Sequence, residues 1–311
     1  ESKESAGHRG GSARNGQDKH LPVGKSAGKS AGKTILNVIG LSIRDKAHPF
    51  LRDICFTVEA GEILGVLGIK ESGIETLELG LAGFLSHFSG RIELDGVDIS
   101  GGGPRSFRAA GGVYLSAGKR SLAGGKAIAS FDPQLSIQDN LLIHIYAEKK
   151  RNGHTGTKQG MKQESHKLNA EHMARRMIND AALSVSPSTR AGTLSGGTLQ
   201  RLLVTRECAG DPCLIMMVEP AWGLDRLNRG RFFRFLRDKA DEGRGILLFF
   251  SDIDEALEIS DRILIVHNGA CTEHFRVNER DRLKDAECLK DKIKTAMAGS
   301  SRQSATSKAV I

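Results

Sequence analysis

Two patterns of apolar and polar positions alternate from residue 34 to residue 267, and together they predict an α/β fold. Short apolar or alternating runs predict strands at Leu36–Ile43, Leu51–Val58, Ile63–Leu67, Arg91–Asp95, Leu214–Val218, Gly245–Phe250 and Arg262–His267. Helical spacing of apolar positions predicts helices at Glu75–Phe84, 171–183, Gly196–Cys208, Arg229–Ala240 and Asp254–Ser260. Strands and helices follow one another along the chain, which predicts a sheet covered by helices.

Both ends of the chain lack this periodicity. Residues 1–33 are rich in Gly, Ser, Lys and His and carry seven Lys/Arg against three Asp/Glu, so we interpret them as a flexible basic linker. Residues 276–311 are charged and predict a tail, with a loosely attached helix and a disordered end. Between these ends we predict one domain over residues 34–275, in which the polar residues 148–170 form a loop or insertion.

One segment of the linker imitates a phosphate-binding loop. In Ala27–Thr34 the residues Gly32, Lys33 and Thr34 occupy the key places of the loosest form of that pattern. Such a loop needs a buried strand before it and a helix after it. Here a polar linker comes before and the strand-like run Ile35–Ile39 follows, so we interpret the match as a coincidence of low complexity.

Composition narrows the class of protein. The formal net charge is +8, and a basic end suggests nucleic acid or an anionic membrane surface, although a solvated linker is the interpretation we prefer. The five cysteines lie far apart without a CxxC pair, which argues against a zinc site or a disulfide framework and fits a reducing cytosol. No apolar run approaches the ~20 residues of a membrane helix, and we expect no signal peptide. Any link to a membrane is therefore expected to run through a partner.

The strongest local motif is Thr193–Arg201, which reads TLSGGTLQR. Gly196 and Gly197 allow the backbone to approach a ligand closely, because neither carries a Cβ. Ser195 is suited to cap the following helix, whose free N–H groups attract an anion. An ordinary Ser-capped helix would explain Ser-Gly-Gly alone, but not the whole motif followed by Glu219–Asp225.

These motifs resemble ATP-binding-cassette (ABC) proteins. Leu194–Gln200 resembles the family's signature, Leu214–Asp225 its Walker B strand and D-loop, and Leu51–Gly65 the strands before its phosphate loop. Asp252–Leu257 and Ser260–Gly269 resemble the segment around its switch histidine. The match covers residues 34–272 in the family's order. It implies an ABC-type P-loop NTPase fold with a helical subdomain at about 117–212 that touches membrane subunits.

The phosphate loop narrows the resemblance further. Gly65–Leu77 is similar to the degenerate loop in the second half of tandem cassette ATPases that serve importers of simple sugars and nucleosides. A basic linker before the domain fits the C-terminal half of such a chain. In this register Gly68 and Gly73 are retained, whereas Ile74 stands at the lysine position and Glu75 at the Ser/Thr position that holds magnesium. Thr76 is out of register, and a plain strand-to-helix turn remains a competing interpretation.

Other positions that handle ATP in the family have also changed. The resemblance places the Walker B acid at Val218, the switch histidine at Ser251 and the Q-loop residue near Ala117. Glu219 stands where the family has its candidate general base, although a structural role is the simpler interpretation. Phe50 is the nearest aromatic to the place of adenine stacking, and it is poorly placed. Loss of the Lys, Asp and His together predicts little or no ATPase activity from this chain alone.

The resemblance implies a function shared between two cassettes. Family members pair head to tail, so each ATP lies between one phosphate loop and the partner's signature. The residues that would serve the partner's site are Ser195, Gly196, Gly197 and Gln200 of the signature and Gly223, Leu224 and Asp225 of the D-loop. ATP and Mg²⁺ are then expected mainly at the partner's site, with no other metal. The expected partners are a second cassette on the same chain or a homologous subunit, the permease and, indirectly, a solute-binding protein, at the cytoplasmic face of the membrane.

Two alternatives stay open. The first is a competent ATPase in which Lys70, Lys119 or Arg120 replaces the missing lysine. The second is a cassette-derived scaffold or regulator without a membrane partner, whose basic end binds nucleic acid. The basic residues lack interleaved aromatics of the kind that single-strand binders use for stacking, so we expect no nucleic-acid partner.

Overall fold

A six-stranded sheet forms the centre of the molecule in the computed structural model. Its strands, in spatial order, are β12 (Ala270–Arg276), β11 (Arg262–His267), β3 (Ile63–Leu67), β10 (Gly245–Phe250), β9 (Leu214–Val218) and β6 (Gly112–Ser116). Pairing is parallel except between β11 and β12. The inner strands β3, β9 and β10 are buried along their whole length, because layers cover both faces of the sheet. The structure describes residues 32–69, 71–85, 88–116, 121–122, 126–127, 131–143, 161–181, 183–278 and 286–299.

A second, antiparallel sheet lies beside the central sheet, in the order β2 (Leu51–Glu59), β1 (Thr34–Ile43), β4 (Phe88–Leu94) and β5 (Val97–Asp98). A short hairpin joins β7 (Ser121–Leu122) and β8 (Lys126–Ala127). The helices are α1 Ile74–Leu81, α2 Gly103–Ala109, α3 Met161–Asp180, α4 Gly196–Cys208, α5 Arg226–Asp241, α6 Ile253–Ile259 and α7 Ala286–Met297.

Alternate side chains of the parallel strands enter two different cores. One face, with Leu64, Val66 and Phe249, packs against the antiparallel sheet and α1. The other face, with Ile63 and Phe250, packs against helices α4 to α7. The parallel sheet is therefore the middle layer of a three-layer domain.

A third, smaller core lies among helical elements. Ile137, Leu141 and Leu142 of the helical residues 137–143 pack against Ala174, Met177 and Ile178 of α3 and Leu202 of α4. The neighbouring Leu203 and Val204 of α4 point into the core of the central sheet instead. Helix α4 thus joins the helical part of the chain to the sheet.

The predicted α/β fold is confirmed, and β3, β9, β10, β11 and α4 have the predicted bounds. The prediction of a loop over residues 148–170 is wrong at its end, because α3 begins at Met161. The prediction of a loosely attached C-terminal helix is also wrong, since Ile293 and Ala296 of α7 are buried. The strand β12 was not predicted.

Several predictions fall outside the described residues. These are the linker at residues 1–31, the Q-loop position Ala117, the tail beyond residue 299 and the alternative cations Lys70, Lys119 and Arg120. Within the part of the chain that the structure describes, no helix is long and apolar enough to cross a bilayer.

Candidate functional site

The predicted phosphate loop and two other predicted site positions lie at one edge of the parallel sheet. Leu67, the last residue of β3, pairs with Phe250 at the end of β10, and Phe249 pairs with Val218 at the end of β9. Gly68, Ser251 and Glu219 are the residues that follow these three strand ends. Ligands of open α/β sheets bind outside the carboxyl ends of the strands, so the sequence motifs meet where a ligand site is expected.

The interior of the predicted phosphate loop is filled by the loop's own side chains. A Cβ on Gly68 would overlap Ser72 Oγ and lie 3.3 Å from Ile74 Cβ. Ser72 is buried, and its N–H donates to the Ile69 carbonyl at 2.9 Å in a turn within the loop. A phosphate cradle needs inward-facing backbone N–H groups without protein acceptors. The N–H of Ser72 does not meet that need.

Other parts of the fold hold the loop from outside. Gly73 has a φ of 97°, and a Cβ there would lie 2.6 Å from Leu51 Cδ2. The Ser72 carbonyl accepts from the N–H of Gly269 at 2.8 Å, in the turn between β11 and β12. Thr76 is fully buried and its hydroxyl donates to the Pro49 carbonyl at 2.8 Å. Thr76 therefore turns its hydroxyl toward the protein, and Glu75, which the sequence predicts at the magnesium position, lies in the first turn of α1.

Phe50, the aromatic residue that the sequence analysis weighed for adenine stacking, has cationic neighbours. The guanidinium carbon of Arg44 lies 5.0 Å from the ring centre of Phe50, and that of Arg52 lies 5.6 Å from it. Both distances are typical of cation–π contacts. A base that stacked on Phe50 would compete with these guanidinium groups, a feature that the sequence reading missed.

The ends of β9 and β10 carry Val218, Glu219 and Ser251. Val218 is buried at the end of β9, and Glu219 follows it with a φ of 48°. The N–H of Glu219 donates to the Phe249 carbonyl at 2.9 Å, which fixes its backbone to β10. Ser251 is exposed after β10, and Asp252 then caps α6 by accepting from the N–H groups of Asp254 and Glu255.

The helix after the predicted switch position carries a half-buried acid, Glu255. Burial raises the pKa of the Glu255 carboxyl, and the negative charge of Asp252 adds to that rise. Arg229 of α5 opposes the shift, because its Nη1 lies 3.3 Å from Glu255 Oε1. Its Nε also lies 3.2 Å from Glu258 Oε2. These ion pairs join α6 to α5, the helix that follows the predicted D-loop.

The predicted signature motif begins helix α4 with an intact cap. Ser195 Oγ accepts from the N–H of Thr198 at 3.4 Å and lies 3.0 Å from the Thr198 hydroxyl. Ser195 and Gly196 are exposed, and a Cβ on Gly196 would meet nothing within 4 Å. The free N-terminal end of α4 therefore faces open space, and its N–H groups and helix dipole favour an anion there.

The signature and the predicted D-loop form one structural unit. Gln200 Nε2 donates to the Trp222 carbonyl at 3.1 Å, and a Cβ on Gly197 would lie 2.8 Å from Leu224 Cδ2. Gly223 has a φ of 75°, which turns the chain between Trp222 and α5. Asp225 caps α5 by accepting from the N–H of Asn228 at 2.8 Å, and this hydrogen bond lowers the pKa of the Asp225 carboxyl. The structure thus brings Gly197, Gln200, Gly223, Leu224 and Asp225 together.

Two large apolar side chains stand exposed beside this unit. Trp222 and Leu227 each have 65% of their surface exposed, although Trp222 is anchored through its backbone. The sequence reading had not singled them out, because only the fold shows that the turn at Gly223 directs them outward. The face that carries the signature is therefore both anion-attracting and partly apolar.

A comparison with protein-family models decides the family. Residues 51–221, more than half of the chain, match the model described as ABC transporter. This chain belongs to the ABC transporter family. The predicted resemblance is thus confirmed.

The chain is similar in sequence to curated proteins and similar in fold to a solved cassette structure. The chain is 31% identical over 234 residues to a ribose import ATP-binding protein of Rhizobium etli, covering 75% of this chain and 42% of that protein. It is 28% identical over 252 residues to a glucose import ATP-binding protein of Haloferax volcanii, covering 81% and 44%. A nucleotide-free ATP-binding cassette from an ABC transporter superposes with a TM-score of 0.63 at 19% identity, covering 84% of this chain and 98% of that one. The chain spans less than half the length of these two curated relatives.

The two sets of predicted motifs lie in different parts of this chain's fold. The phosphate loop, Val218 and Ser251 lie at the strand ends of the central sheet, whereas the signature and D-loop lie on exposed turns before α4 and α5. No group of three or more His, Cys, Asp or Glu within the described ranges could hold a metal ion. Among the described residues of the loop, Ile74 and Glu75 stand at the positions that the sequence predicts for the lysine and the magnesium-binding hydroxyl.

Proposed function

We propose that the chain is the ATP-binding subunit, or half-subunit, of an ABC importer for a sugar or nucleoside, with a degenerate nucleotide site of its own. Its signature completes the ATP site of a second cassette, on the same chain or on a homologous subunit. ATP and Mg²⁺ act mainly at the partner's site. The permease binds through a helical subdomain at about 117–212, at the cytoplasmic face of the membrane.

One contrast carries this proposal. The loop that would hold the chain's own ATP is filled by Ser72 and Ile74 and offers Glu75 to the metal. The signature end of α4 is open, capped by Ser195 and braced against the D-loop through Gln200. Groups that would serve the chain's own nucleotide have been replaced, while groups that would serve a neighbour's nucleotide are intact. The relatives are named ribose import and glucose import ATP-binding proteins, which supports a sugar as the transported solute.

The chain's own Glu219 has a structural role in this proposal. Its positive φ and its backbone bond to β10 hold the turn that presents Trp222. The competing possibility, a competent ATPase with unusual residues, predicts turnover by the chain alone.

The test is ATP turnover by this chain, by an importer cassette that forms its partner, and by the mixture. We expect no turnover from the chain alone and stimulated turnover from the mixture. Ser195→Arg should lower the stimulated rate about 100-fold, because a transition-state contact is lost. The matched control is Ser184→Arg, at an exposed serine outside the signature. Turnover by the chain alone, or equal rates for the two variants, would refute the proposal.

A further inference from the structure

A buried carboxylate with two arginine partners lies at the C-terminal end of helix α4, the end remote from the signature. Only 4% of the Glu207 side chain is exposed. Arg206 Nε donates to Glu207 Oε1 at 2.9 Å, and Arg108 Nη2 donates to Glu207 Oε2 at 2.6 Å. Both carboxylate oxygens are therefore paired with cations, and loss of either partner would leave buried charge poorly compensated.

Arg206 connects this cluster to the segment 131–143. Its guanidinium carbon lies 5.1 Å from the ring centre of Phe131, and its Nη1 donates to the Asn140 carbonyl at 3.3 Å. Asn140 is buried, and its side chain bonds to the backbone of Asp132 and Ser136. The segment that Arg206 contacts is thus internally braced.

The same segment also holds the chain just before the signature. The N–H of Ala191 donates to the Leu135 carbonyl at 3.0 Å, and the N–H of Gly192 donates to the Pro133 carbonyl at 3.1 Å. Segment 131–143 consequently contacts the chain at both ends of the signature helix. A displacement of this segment should carry α4 with it.

Arg108 joins this unit to the central sheet. It lies on α2, whose Phe107 is buried so closely against β6 that a Cβ on Gly112 would lie 2.6 Å from the Phe107 ring. The Arg108 side chain is 56% exposed, whereas that of Arg206 is 9% exposed. Exposed ion pairs are weaker than buried ones, so the contact with Arg108 is the one that opens first.

We propose that Glu207 is a positioning residue for the signature. With Arg206 it fixes α4 to segment 131–143, and with Arg108 it sets the angle of that unit against α2 and β6. The catalytic consequence rests on the proposed function, because the signature acts at the partner's site. The position of α4 itself is a property of this chain alone.

The test compares Arg108→Met with Arg175→Met, which removes a similarly exposed cation from the pair between Arg175 and Glu171 on α3. In the chain alone, amide hydrogen exchange over residues 205–209 should be about fivefold faster in Arg108→Met than in the unmodified chain. Arg175→Met should leave that exchange unchanged. In the mixture with the partner cassette, kcat should fall about threefold without a change in KM for ATP, because the partner's loop binds the nucleotide. Arg108→Lys should restore both values.

The outcomes separate this inference from the proposed function. Equal exchange in Arg108→Met and Arg175→Met would overturn the positioning role. Faster exchange with unchanged kcat, in a mixture whose turnover depends on Ser195, would overturn it as well. If exchange differs but the wild-type mixture shows no turnover that depends on Ser195, the proposed function fails and the placement of α4 by Glu207 is supported.

Discussion

Gly269 shows how single residues shape the predicted phosphate loop. Its N–H donates to the Ser72 carbonyl, and its own carbonyl accepts from the N–H of Arg52 at 2.7 Å. It thereby ties the loop to the start of β2. Its φ is 75°, and a Cβ would overlap the carbonyl oxygen of Phe50. A rigid backbone atom cannot move aside as a flexible side chain can, so only glycine fits this turn.

Substitution of Gly269 should therefore destabilise the fold much more than substitution of a glycine that has a similar positive φ but open space where a Cβ would lie. Gly269→Ala should lower the free energy of unfolding by about 3 kcal/mol, because alanine is strained at a left-handed φ and its Cβ would overlap the Phe50 carbonyl oxygen. The control is Gly243→Ala, where φ is 97° and a Cβ would meet nothing within 4 Å, with an expected loss of ~1 kcal/mol. Urea unfolding measures both values. Similar losses would show that the turn relaxes easily.

At the scale of secondary structure, burial decides which elements the sequence could predict. The strands β3, β9 and β10 are buried on both faces, so their sequences are continuous apolar runs with turn residues at each end. Their bounds followed directly from those runs. The start of helix α4 could be predicted equally well, because the capping residue Ser195 precedes it.

The elements and contacts that were missed depend on distant parts of the chain. Helix α3 is polar over much of its length, so apolar spacing gave no sign of its start at Met161. The burial of α7 depends on β11 and α6, which no local pattern records. In the candidate site, motif spacing located the positions of Ile74 and Val218. It could not show that Arg44 and Arg52 surround Phe50, or that Gln200 binds the Trp222 backbone.

Helix α7 should contribute to the stability of the domain. Ile293 is fully buried against the helical face of the sheet, and Lys290 Nζ lies 2.6 Å from Asp254 Oδ1 of α6. Ile293→Ala should lower the free energy of unfolding by about 3 kcal/mol, because the deletion leaves a cavity. Lys292→Ala, at an exposed position of the same helix, should change it by less than ~0.5 kcal/mol. Thermal unfolding of the two variants measures these losses. If Ile293→Ala were as stable as Lys292→Ala, α7 would be only loosely attached.

For the whole molecule, the proposal is one of asymmetry. In that proposal, the strand ends of the central sheet no longer bind a triphosphate, while the signature and the D-loop, joined by the hydrogen bond of Gln200, serve a partner. A single chain of this kind would show little response to nucleotide by itself. Its response would come through a partner that supplies the phosphate loop, and the proposal places that partner beside the exposed Trp222, the one tryptophan of the chain.

This asymmetry predicts how nucleotide affects the stability of the chain. A ligand at 100 times its Kd raises the free energy of unfolding by about 2.7 kcal/mol, which would raise the Tm of a domain of this size by roughly 5–10 °C. Because Ile74 and Glu75 replace the lysine and the hydroxyl, 1 mM ATP with Mg²⁺ should raise the Tm of the chain by less than ~1 °C.

The double substitution Ile74→Lys with Glu75→Thr is the matched variant for that measurement. It returns a cation to the phosphates and a hydroxyl to the metal, so ATP should now raise the Tm by several degrees, on the order of the shift expected for a bound ligand. Turnover should still be absent, because Val218 and Ser251 leave the metal and the terminal phosphate without their acid and histidine. A rise of several degrees in the unmodified chain would mean that Ser72 and Ile74 move aside to admit nucleotide. The loop would then be a binding site that has lost hydrolysis alone.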